Sequence, residues 1–136
     1  MTVAAESART WLSTATCTCL VDGDAVMSCL VPVETIQGAD VRTLEGVAGP
    51  GGELDALQAA FLEGFATQCG FCTSGMIMAA EALLAENPDP TRDDVVRAIS
   101  GNVCRCTGYE SIIAAILDAA ARRRAGAGVG DLAESV

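Results

Sequence analysis

Two short stretches carry the residues able to do chemistry. Residues 68–75 read Q-C-G-F-C-T-S-G, and residues 102–108 read N-V-C-R-C-T-G. Each is a close cysteine pair followed at once by threonine, then glycine, then an apolar run with helical spacing. Four thiols delivered as two pairs, each at the mouth of a helix, form a donor set for a metal ion or an iron-sulfur cluster. Backbone N–H groups and the positive ends of two helix dipoles would face the bound group. An oxidised 2Fe-2S cluster on four thiolates carries a charge of about −2, and such donors favour it. A structural zinc ion also takes four thiolates from paired cysteines. The spacing alone leaves both open, although C-x-C, as in Cys104-Arg105-Cys106, is less common in zinc modules than C-x-x-C.

Composition narrows the field. The chain has 136 residues, 51% of them hydrophobic, enough for one modest core or two small ones. A formal net charge of −10 argues against nucleic acid or an anionic membrane surface, which need a concentrated basic face. The one basic run is Arg122, Arg123 and Arg124, read here as complementing the end of the last helix, with docking as the second role. No apolar stretch reaches the ~20 residues of a membrane helix, so a soluble, cytoplasmic protein is expected. Seven cysteines without an export signal point to metal chemistry in a reducing compartment. Histidine is absent, which removes the usual general base and mixed Cys/His zinc sites.

The elements that must position these cysteines follow from periodicity. From Cys17 the sequence T-C-L-V-D-G-D-A-V-M-S-C-L predicts a hairpin turning at Asp22-Gly23. A short strand is expected around Asp40 to Leu44, and the Gly/Pro-rich G-V-A-G-P-G-G segment after it reads as a linker. Leu54, Leu57, Phe61 and Phe65 then fall on one face of a first helix ending near Gly64. Thr73 is the expected N-cap of a second helix carrying Met76, Ala80, Leu83 and Leu84 inward until Asn87-Pro88. Thr91 with Asp94, and Thr107 with Glu110, read as capping boxes for a third and a fourth helix. Val95 and Ile99 supply the third helix with its buried face; Ile112, Ile113, Ile116, Leu117 and Ala120 supply the fourth. The two halves of this helical part form a weak internal repeat. Phe71 is read either as a shield over the thiols or as a buried aromatic, and Arg105 as solvated or paired with an acidic group.

These residues match a known pattern. Q-C-G-F-C-T-S-G, N-V-C-R-C-T-G-Y and A-E-N-P-D-P-T together closely resemble the small iron-sulfur subunit of the molybdenum hydroxylases, the xanthine oxidase and aerobic carbon monoxide dehydrogenase family. The likeness runs from about Cys17 to about Ala121. It implies an α+β chain: a ferredoxin-like β-grasp part, truncated or divergent here, followed by a four-helix 2Fe-2S-binding domain. The implied organisation is a partial β domain over 1–46, a linker over 47–53, the helical domain over 54–124 and a flexible tail over 125–136. Cys69, Cys72, Cys104 and Cys106 are implied to ligate a 2Fe-2S cluster, and Gln68 to lie beside the pterin of a cofactor held by a partner. A large molybdopterin-binding subunit and a medium FAD-binding subunit are the implied partners. The implied function is electron transfer within an oxidoreductase complex, with no substrate chemistry in this chain; the other reading is a zinc-stabilised or degenerate interaction module without a redox role.

The departures are local. Ser74 replaces the family's proline, a mild change at a helix start. Cys17 and Cys29 align with the last two ligands of the family's N-terminal cluster, but Thr14 stands where the first cysteine of C-G-A-C belongs and no cysteine precedes Cys17. Cys19, two residues from Cys17 on a predicted strand, is expected to be a small buried apolar residue, as is Cys29 in the same reading. Three thiols do not make an all-cysteine 2Fe-2S site, so this second site is incomplete. The abrupt return of the pattern at Cys17 points to an altered or late-starting sequence up to Thr16, with a single-cluster variant as the other reading.

Overall fold

The computed structural model describes residues 17–49 and 51–126. The expectations placed on residues 1–16, including Thr14, and on the tail beyond Gly126 lie outside the described residues.

The hairpin forms where the Asp-Gly pair predicts it. Strands β1 (Thr18–Val21) and β2 (Asp24–Met27) pair antiparallel, with Val21 opposite Asp24 and Thr18 opposite Met27. Asp22 and Gly23 take φ of 52° and 92°, the double left-handed geometry of a two-residue turn matched to strand twist. Strand β3 (Val41–Arg42) joins the other edge of β1, giving the order β2-β1-β3. It is shorter than the sequence suggests because the chain tightens into a 3-10 turn at Leu44–Gly46, which the Arg42 side chain caps by donating to the Gly46 carbonyl at 3.0 Å. The glycine-rich segment that follows is ordered by its own hydrogen bonds. Gly49 N–H donates to the Glu53 carbonyl at 2.8 Å, and the Glu53 carboxylate accepts from Gly51 N–H at 3.0 Å.

Four helices complete the chain: α1 (Ala56–Glu63), α2 (Thr73–Glu86), α3 (Arg92–Ile99) and α4 (Tyr109–Arg124). Helix α1 packs on α4, α2 on α3, and the β1–β2 hairpin lies on α2. Leu20 and Val47 join Leu57, Phe61, Met76, Met78, Val95, Ile112 and Ile116 in one apolar core, so sheet and helices share an interior. Each of the larger of these side chains contributes about 1.5–3 kcal/mol by leaving water.

Three helix ends differ from expectation. Phe65 is 83% exposed, and the reason is the backbone. Helix α1 stops with Ala66 N–H donating to the Phe61 carbonyl at 2.9 Å and Phe65 N–H to the Leu62 carbonyl at 3.2 Å, the paired bonds of a Schellman motif. Phe65 occupies its left-handed position with φ of 48°, where glycine is usual, and so leaves the stripe formed by Leu57 and Phe61. Thr73 is the first residue of α2, with Cys72 as the N-cap and no side-chain cap. The expected box at Thr107 and Glu110 also does not form: Gly108 caps α4, Thr107 turns left-handed with φ of 57°, and Glu110 instead accepts from Arg92 at 2.6 Å. The Thr91–Asp94 box does form, with Asp94 N–H donating to Thr91 Oγ1 and Thr91 N–H to the Asp94 carboxylate.

The three terminal arginines clamp the bundle rather than simply neutralise a helix end. Arg122 reaches Glu63 at 2.6 Å and Asp118 at 2.7 Å, and Arg124 reaches Asp89 at 2.6 Å. Arg123 bonds Asp55, the N-cap of α1, at 2.7 Å, and also the buried Glu81 of α2. No helix among the described residues is long and apolar enough to cross a membrane.

Candidate metal centre

The loop before α2 and the loop before α4 meet, and they bring together all four predicted thiols. Each loop is shaped by one unusual backbone turn. Gly70, with φ of 82°, lets Thr73 N–H donate back to its carbonyl at 3.2 Å, so Cys69 and Cys72 fall on one side. Thr107 performs the matching turn after Cys106. A β-branched residue in the left-handed region costs of order 1 kcal/mol, a strain that persists only where the surroundings over-determine it. The turn aims the N–H groups of Cys106, Thr107 and Gly108 at the Cys104 sulfur.

Side-chain hydrogen bonds hold the loops in place. Buried Asn102 donates from Nδ2 to the Gly75 carbonyl at 2.9 Å, tying the second loop to α2. Tyr109 Oη accepts from Cys104 N–H at 2.8 Å. Thr67 and Thr73 share a hydroxyl bond of 3.2 Å across the first loop. Gln68 lies against Gly108 so closely that a Cβ there would sit 3.1 Å from its Nε2, which is why the smallest residue stands at this crossing.

The thiols meet as two pairs, one from each loop. Cys69 is hydrogen-bonded to Cys106, and Cys72 to Cys104. The Cys72–Cys104 pair is buried; Cys69 is exposed and Cys106 half-buried. Their electrostatics differ accordingly. Burial, then the bond to Cys104, pushes the Cys72 thiol up to about 11. Burial also pushes Cys104 up, but the N–H groups of Gly108, Cys106 and Thr107, with the Cys72 thiol, outweigh it and leave Cys104 below the usual thiol range. Cys69 is lowered by the Phe71 N–H and then by Cys106, while Cys106 is raised by its bond to Cys69. Each pair therefore contains one thiol disposed towards thiolate and one held protonated.

This donor set can be tested against the two candidate groups. A single zinc ion needs its ligands to converge on one point, and among the described residues no three Cys, Asp or Glu side chains do so. Two adjoining pairs, with amides already directed at the sulfurs, fit a binuclear cluster on four thiolates. Phe71 is 63% exposed, which corrects its reading as a buried aromatic; with Phe65, Leu62 and Val103 it forms an apolar rim on the exposed side of the loops. Arg105 is exposed.

Cys17 and Cys29 lie apart from these four, near the open end of the hairpin, with their Sγ atoms 3.3 Å from each other. Cys29 is exposed, contrary to its reading as a buried residue, because it falls in the 3-10 turn Ser28–Leu30 after β2. Cys19 is buried on β1 as expected. The functional pattern that sequence reasoning missed is the pairing across loops: spacing defines each loop's thiols but not which of them meet.

A family model described as a 2Fe-2S binding domain matches residues 43–117, more than half of the chain. The small subunit of nicotine 6-hydroxylase from Paenarthrobacter nicotinovorans is 50% identical over 103 residues, covering 76% of this chain and 61% of the relative. The iron-sulfur-binding subunit of xanthine dehydrogenase from Escherichia coli O157:H7 is 47% identical over 104 residues, covering 75% of this chain and 65% of the relative. The chain thus spans somewhat less than two thirds of these curated relatives. Among solved structures, quinoline 2-oxidoreductase from Pseudomonas putida 86 superposes with a TM-score of 0.76 at 43% identity, covering 92% of this chain and 75% of the matched one. The chain belongs to the 2Fe-2S binding domain family, among the iron-sulfur subunits of the molybdenum hydroxylases.

Proposed function

We propose that this chain is the electron-transfer subunit of a molybdenum-dependent hydroxylase or dehydrogenase in the cytoplasm, with Cys69, Cys72, Cys104 and Cys106 ligating one 2Fe-2S cluster. When bound, such a cluster takes up and gives back one electron at a time. The observation that carries this reading is the meeting of four thiols as two pairs from two loops. Cys72 and Cys104 hold the inner side in the core, where bulk water is excluded. The N–H groups aimed at Cys104, and the Phe71 N–H at Cys69, stabilise thiolate charge and set the potential at which the site exchanges an electron.

The exposed pair, Cys69 and Cys106, is the side proposed to face the partner. Gln68 stands beside it, on the surface, and is assigned to the pterin of a molybdenum cofactor held by a large subunit. The apolar rim of Leu62, Phe65, Phe71 and Val103 supports a docked protein there, because exposed aromatics around a redox site are otherwise costly. Electrons pass from that subunit through this chain towards FAD in a medium subunit. The chain holds the helical 2Fe-2S domain over 54–124, joined by 47–53 to a ferredoxin-like β remnant within 1–46.

The test is to tag this chain in its native host, isolate the complex it enters, and quantify molybdenum, flavin and iron together. Co-purification of all three with two larger chains is expected. Recovery of the chain alone, or with partners lacking molybdenum, would overturn the assignment.

A further inference from the structure

The thiols left over by the helical site form a second feature. Seven cysteines less the four at the helical loops leave Cys17, Cys19 and Cys29. An all-cysteine 2Fe-2S site needs four thiolates, and no histidine exists to substitute. Cys19 is 7% exposed and packs into the interior from β1, opposite Val26. No three of the described side chains converge as metal ligands here. The donor set in this sequence therefore does not fit a second cluster.

The remaining two thiols are held in contact. The Cys17 carbonyl accepts from Ser28 N–H at 3.0 Å, which carries the β1–β2 ladder one step past the Thr18–Met27 pair. That bond fixes the chain on either side and sets Cys29, in the following 3-10 turn, against Cys17 with 3.3 Å between the sulfurs. A disulfide has an S–S length of about 2.05 Å, so closure requires the sulfurs to approach by little more than about 1 Å. Cys29 is exposed to a reagent from solvent, and Cys17 is half-buried behind it.

We propose that Cys17 and Cys29 are a redox-active dithiol that closes to a disulfide across the open end of the hairpin, and that its reaction partners are small-molecule disulfides. The Cys29 thiolate attacks one sulfur of the disulfide RSSR, forming a mixed disulfide and releasing RS⁻. The Cys17 thiolate then attacks the Cys29 sulfur, forming the Cys17–Cys29 bond and releasing the second RS⁻. Two protein thiols are oxidised, RSSR is reduced to two thiols, and the two protein protons pass to the leaving groups. The closed form staples the two ends of the hairpin.

The experiment uses the full chain, purified anaerobically and incubated with oxidised glutathione at a pH of about 8.5, where thiolates are available. Denaturation in a maleimide, intact mass and peptide mapping follow. The expected product is about 2 Da lighter than the reduced chain and yields a Cys17–Cys29 cross-linked peptide. Cys29→Ser abolishes the cross-link; Cys17→Ser abolishes it and leaves glutathione on Cys29; Cys19→Ser retains it. Complete alkylation of both residues in the treated wild-type chain would overturn the proposal. So would a fall in iron from about four to about two per chain in the Cys17→Ser variant, because that result makes Cys17 a cluster ligand.

Discussion

Both halves of this molecule bring cysteines into contact, yet they do so with different depth. In the helical half, two loops distant in sequence meet through Asn102, Tyr109 and the Gln68–Gly108 crossing, and the inner thiol pair enters the core. In the sheet half a single hairpin sets one pair at the surface, with neither residue buried. The difference teaches what a cluster site requires beyond thiols. Four donors, shielding on one side and amides aimed at sulfur occur together at the helical loops, while the hairpin supplies two donors and no such enclosure.

The comparison breaks most clearly at the cysteines themselves. Cys104→Ser should reduce iron from about two atoms per chain to a small residue and remove the visible absorption, whereas Cys29→Ser should leave iron unchanged; metal analysis and absorption spectra check both. A loss of iron in both variants would merge the two regions into one metal-binding system.

The next largest effect lies in the clamp that holds the helical half together. Glu81→Gln leaves the part-buried Arg123 with Asp55 alone, and a loss of about 2 kcal/mol is expected in denaturant unfolding. No comparable ion pair is needed to hold the hairpin thiols, so the Cys17–Cys29 contact, read by cross-linking, should survive this change.

Phe65 sharpens the contrast between stability and docking. Phe65→Gly relieves the left-handed strain at the end of α1 and should stabilise the isolated chain by about 1 kcal/mol, while weakening its capture of the partner subunit. Thermal unfolding and co-purification report the two effects separately. A gain in stability with undiminished capture would remove Phe65 from the docking rim.

Smaller still is the α3 cap. Thr91→Ala should cost about 1 kcal/mol at neutral pH. The Thr91 hydroxyl, followed by its backbone N–H, holds the Asp94 carboxyl below its ordinary 3.8. A lowered folded-state value stabilises above the unfolded one and is lost as pH falls through the lowered value. The difference between wild type and Thr91→Ala should therefore be full above pH 3.8 and shrink below it. Unfolding curves from pH 2 to 7 check the sign.

Much of this was legible from local chemistry. Asp22-Gly23 specifies its turn through its own backbone preferences, the Thr91–Asp94 box is complete within four residues, and the cysteine spacings mark both loops. What escaped depended on groups far apart in the chain. Phe65 continued the apolar spacing of α1, yet the Schellman bonds ended the helix before it could be buried. Glu110 fitted a capping box, but Arg92, eighteen residues away, took its carboxylate, and Thr107 was needed in a left-handed turn. The burial of Glu81 follows only from the reach of Arg123 at the far end of α4. For the same reason the cross-loop partners, Cys69 with Cys106 and Cys72 with Cys104, were invisible in the spacing.

The central claim is that the helical loops hold the one complete cluster site in this sequence. Quantifying iron, acid-labile sulfide and zinc in the anaerobically purified chain, alongside the reduced-state paramagnetic signal, tests it most directly. About two iron and two sulfide per chain, negligible zinc and a single signal are predicted. A colourless protein with one zinc per chain would contradict the claim, as would about four iron with two distinct signals.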